Sequence, residues 1–78
     1  MNGTVIPLSL LRKGDSAIIV SLDDSALAIK LMEMGCMPGE HLVLDNIAPL
    51  GDPISIRIGN YILGLRKSEA AIIKVSKQ

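Results

Sequence analysis

Aromatic residues are nearly missing from this 78-residue chain: Tyr61 stands alone, with neither Trp nor Phe. Proline-rich peptides and single-stranded nucleic acid are both held on aromatic platforms, so one tyrosine supports neither as a ligand. Cysteine is as scarce. Cys36 alone permits no internal disulfide and no Cys-x-x-Cys metal or redox motif. The single histidine, His41, is thin evidence for a metal site, because no potential ligand near it has the spacing of a helical or Cys-x-x-Cys pair. Net charge is missing too: eight Lys and Arg balance eight Asp and Glu, leaving no overall field to attract nucleic acid or anionic lipid. Apolar runs such as Ala17 to Val20 and Ala70 to Ile73 reach only four residues, whereas a bilayer span needs about 20. Direct membrane insertion is therefore not expected. No basic stretch leads into an apolar region and a cleavage site at the amino terminus, so a secretory signal is not expected and the cytoplasm is the expected compartment.

What remains is aliphatic. The chain is 49% hydrophobic, so its core must be built from Ile, Leu, Val, Met and Ala. Its length predicts one domain over residues 1–78 with one modest core, too small to enclose a deep substrate cleft.

Punctuation by turn residues divides the chain. Pro7 to Leu11 is an apolar lead-in closed by the Gly14-Asp15 turn. Residues 17 to 22 are short and β-branched, which predicts a strand. Asp23, Asp24 or Ser25 then supplies acceptors for the first turn of a helix, while Gly35 and Pro38 end it, giving a helix over 25–34. Strands follow over 40–47, 54–58 and 61–66, with a hairpin at Gly59-Asn60. One turn at Lys67 to Ala70 precedes a last strand over 71–75. Pro49 to Pro53 reads as a defined loop between strands. The fold class is mainly β: about five short strands with one inserted helix. Closure into a barrel, complete or nearly so, would remove the edges that otherwise aggregate.

On a 3.6-residue wheel, Leu27, Leu31 and Met34 form the core stripe, with Ala28 at its flank. Ile29 and Met32 fall on the other side and, beside Met37, make a small apolar patch suited to a partner. The ordinary alternative is scattered surface hydrophobicity.

The chain's punctuation resembles that of a known family. Its elements are the Gly14-Asp15 turn, Leu27, Lys30-Leu31, Met34-Gly35 and Pro38-Gly39, then Gly51-Asp52-Pro53, Leu65-Arg66 and Glu69-Ala70. This order, from about Leu8 to Val75, is similar to the FeoA family, a small cytosolic component of bacterial ferrous iron uptake. The resemblance implies an SH3-like β-barrel that works with FeoB, a membrane transporter carrying a cytosolic G-protein domain. Similar domains end metal-dependent repressors, which would need a helix-turn-helix region before the domain; such a region is not expected here. Lys30 stands where the family frequently has Arg, which weakens any bidentate contact there.

The expected function is that of a regulatory or assembly subunit docking on FeoB through Ile29, Met32, Met37 and the loop Gly51, Asp52, Pro53. The competing reading is a metal-responsive adaptor that binds a transition metal ion through His41 with Cys36, Asp45 or Glu40, although no pair among them has a metal-site spacing. Cys36 follows a helix end, where no positive dipole lowers a thiol's pKa, so it reads better as a packed side chain. A third reading is self-association through an exposed barrel edge. No Ser, His and acid constellation and no phosphate-binding glycine loop supports an enzyme, and no cofactor is expected. Arg12-Lys13 and Arg66-Lys67 read as solvated turn residues.

Overall fold

The computed structural model describes residues 4–78. Six strands form where β-branched or alternating residues run between turn signals: β1 (Val5–Pro7), β2 (Ser16–Leu22), β3 (His41–Ile47), β4 (Ile54–Ile58), β5 (Tyr61–Leu65) and β6 (Ile73–Lys77). The helix α1 (Ala26–Glu33) is inserted between β2 and β3, and a single-turn helix α2 (Lys67–Ala70) joins β5 to β6. One antiparallel sheet takes the order β1-β6-β2-β3-β4-β5.

The edges of the sheet differ from the sequence reading in two ways. The three-residue β1 carries too short a pattern to show a period of two, and it is a strand because Val5, Ile6 and Pro7 lie opposite Ser76, Val75 and Lys74 of β6. The sheet is also left open, since β1 and β5 are its two edges and do not pair with each other. Register shifts at Ile19/Ser21 in β2 and Leu44/Asn46 in β3 are irregularities of the kind that bend strands and let a sheet curl round a core. That core holds Leu8, Ile19, Leu31, Leu42, Leu44, Ile56, Leu65, Ile73 and Val75, all fully enclosed. The pairing of β1 with β6 also sets Thr4 and Lys77 side by side, with Lys77 N donating to Thr4 O at 3.4 Å.

The helix begins where its cap is. Ser25 Oγ accepts from Ala28 N at 3.1 Å, and Asp23 Oδ1 accepts from both Ser25 N and Ser25 Oγ, at 3.0 and 2.5 Å. Those bonds favour the ionised carboxylate and hold the Asp23 pKa below its usual value. Ala28 and Leu31 are buried, with Leu27 and Met34 packed against the core from its margin. Replacing Ser25→Ala removes the cap acceptor and is expected to cost about 1 kcal/mol. In a domain of this size that appears as a fall in melting temperature of roughly 4–8 °C by thermal circular dichroism.

Candidate partner-docking site

The carboxyl end of α1 is fixed to the sheet by the chain's only aromatic side chain. Tyr61 Oη, at the start of β5, donates to Met34 O at 2.6 Å, joining residues 27 positions apart. Gly35 lies directly beneath: its φ of +113° favours glycine, and a Cβ added there would collide with the Tyr61 hydroxyl. Both constraints demand the same residue. Sequence reasoning found Gly35 as a helix stop but missed Tyr61, whose signal was only its being the single aromatic at a hairpin start.

Beyond Gly35 the chain stays tied down. Cys36 N donates to Leu31 O at 3.0 Å, Gly39 N to Ile19 O at 2.8 Å, and Ile19 N to Glu40 O at 2.9 Å. Met37 on this segment is 47% exposed and Ile29 on α1 is 57% exposed, so two of the three patch residues are presented to solvent by an anchored backbone. Met32 is half-buried and contributes only part of its surface.

The loop Gly51-Asp52-Pro53 lies elsewhere. Gly51 N donates to Ala48 O at 2.7 Å and Ala48 N to Pro53 O at 3.0 Å, closing a turn that leaves Leu50 96% exposed. Asp52 Oδ1 accepts from Lys67 N at 2.9 Å, which ties the loop to α2. Strand register puts this loop and the helix end at opposite ends of the β3–β4–β5 meander: Leu42, Ile58 and Tyr61 meet at one end, Ile47, Ile54 and Leu65 at the other. Seven residues of β3 separate them, about 20 Å of strand.

The metal candidates are not assembled. Cys36 is fully buried in the core and His41 is exposed at the start of β3. Among the described residues no three His, Cys, Asp or Glu side chains gather where they could hold a metal ion. Of the basic residues, Arg57 pairs with Asp45 at 3.2 Å and Lys77 with Asp15 at 3.5 Å, both exposed enough to add little stability. The family-variant position Lys30 is exposed. No described helix is long and apolar enough to cross a membrane.

A family model described as the FeoA domain matches residues 6–77. The chain belongs to the FeoA family. Its curated relative in Porphyromonas gingivalis, an Fe(2+) transport protein A/Fe(2+) transporter FeoB fusion protein, is 39% identical over 69 residues. That match covers 87% of this chain but only 8% of the fusion protein. An FeoA-like protein from Clostridium acetobutylicum, solved by NMR, superposes with a TM-score of 0.86 at 35% identity, over 91% of this chain and 84% of that one. The FeoA of Stenotrophomonas maltophilia, crystallised with zinc and described as a prokaryotic SH3 domain protein, gives 0.79 at 29% identity, over 100% and 95%. The SH3-like fold expected from the sequence is therefore borne out, with a sixth strand, as is the link of this FeoA domain's family to ferrous iron transport.

Two measurements check the geometry of this FeoA domain. Tyr61→Phe removes one hydrogen bond and is expected to cost about 1 kcal/mol. Gly35→Ala should cost more, because it adds a collision to roughly 1–2 kcal/mol of backbone strain. The double variant should be less destabilised than the sum, since the collision goes with the hydroxyl; chemical denaturation of all four proteins reads the coupling. For Cys36, burial and then the Glu69 charge push the thiol pKa up. A thiol-reactive dye at neutral pH should label the folded protein on the order of a hundredfold more slowly than the unfolded chain, since only exposed thiolate reacts.

Proposed function

We propose that this chain is an accessory protein of ferrous iron uptake that binds the cytosolic region of an FeoB-type membrane transporter and catalyses nothing itself. The observation that carries this reading is the Porphyromonas gingivalis relative, in which an FeoA part and an FeoB part share one chain. Covalent linkage holds two units at an effective concentration in the millimolar range, an arrangement that serves units acting on one another.

The surface proposed is the helix end: Ile29 and Met37 as exposed anchors, with the accessible part of Met32 between them in sequence. Unbranched methionines adapt to a partner's contours, and the clasp at Tyr61 holds the segment in place before contact, which lowers the ordering cost of binding. Gly51, Asp52 and Pro53 form a second contact, and a partner touching both must follow the meander from end to end. With no net charge, long-range steering is weak, so association should vary little with salt.

The double substitution Ile29→Asp with Met37→Asp tests this at positions exposed enough to leave the fold intact. Affinity for the soluble cytosolic part of the transporter, measured by calorimetry, should fall tenfold or more while the circular dichroism spectrum is unchanged. Unaltered affinity in a folded double variant overturns the surface assignment.

A further inference from the structure

The two edges of the sheet are not equally protected. β1 is three residues long and ends in Pro7, which has no N–H to offer, so that edge is a poor template for another strand. β5 is five residues long, Tyr61-Ile62-Leu63-Gly64-Leu65, with no charge and no proline. Its pairing to β4 uses one side only; on the other, no described backbone group bonds to it.

We infer that β5 is a self-association edge, at which two copies of this chain pair β5 with β5 in antiparallel fashion about Leu63. This rests on the strand alone and is independent of transporter binding. The occupant follows from the register. A twofold axis at Leu63 is the register that pairs all five residues, and it sets Ile62 opposite Gly64 of the second copy, and Gly64 opposite its Ile62. Ile62 and Gly64 are two apart and so share a face, and both are exposed, Ile62 by 46%. A Cβ built on Gly64 meets nothing within 4 Å, so each copy offers open space over its glycine and an isoleucine to cover the other's. Aromatic side chains pin strand pairing by covering edge glycines in this way, and Ile62 is the side chain placed to cover the same space. No charge on either strand opposes the approach. A basic or acidic partner strand would gain nothing from this edge, whereas the edge itself is its own complement.

Pairing over five residues buries less than the ~1,200 Å² below which complexes are weak, so the dimer is a concentrated-solution species. Sedimentation of the whole chain from about 10 μM to about 1 mM, a range that brackets association free energies of roughly −4 to −7 kcal/mol, should show a monomer passing to a dimer. Ile62→Lys should shift that transition at least tenfold upward. Register is read separately by oxidising a mixture of Ile62→Cys and Gly64→Cys variants. A disulfide-linked heterodimer should exceed the product from either variant alone, because residues directly opposite approach to about 5 Å and diagonal ones stay about 7–8 Å apart. The native Cys36, enclosed in the core, does not compete. A monomer at every concentration overturns the inference, as does cross-linking of the single variants equal to that of the mixture.

Discussion

The hydrogen bond from Tyr61 to the Met34 carbonyl fixes the end of the inserted helix to the sheet and sets what its neighbours can do. Without it, α1 would be held through Leu31, the partly buried Leu27 and Met34, and the chain on either side. An eight-residue helix is marginal by itself, so its order must come from tertiary ties. The clasp supplies one at the helix end, Ser25 supplies one at the start, and the backbone bonds from Gly39 and Ile19 close the return to the sheet. Gly35 is the condition for all of this, because the phenol passes through the volume a side chain would fill.

The same anchoring explains how apolar side chains sit in water without a flexible segment to hide them. Ile29 and Met37 are exposed while Leu31 and Cys36, on the same anchored segment, fill the core. Their exposure is a property of the backbone path. Leu50 shows a similar situation at the other end of the meander, where three hydrogen bonds define the turn that carries it.

Much of this was legible in the sequence, and the limits have physical causes. Ser25, Gly35 and Pro38 bracket α1 because caps and breakers act locally, and Ile54, Ile56 and Ile58 announce β4 because alternation is a local property of a half-buried strand. β1 escaped because three residues carry no period, and β6 sits two residues later than expected because Ala71 and Ile72 complete the turn after α2. The wheel correctly turned Ile29 outward but could not see that Met32 is half covered. Nor could it show that the helix end and the Gly51-Asp52-Pro53 loop lie far apart, since that depends on the register of β3 against β4 and β5. The clasp is the least local feature of all.

The adjacency of Thr4 and Lys77 bears on how such a domain can be carried. Thr4 and Lys77 are joined by a backbone hydrogen bond at the β1–β6 side, while β5 lies at the opposite margin of the sheet order. Polypeptide running on from Thr4 and from Lys77 would therefore share one point of attachment, on strands that do not include β5. Force or motion along such a tether would be borne by β1 and β6 first. The domain can hang from another protein as a pendant, with its helix end and free strand left open to whatever it meets.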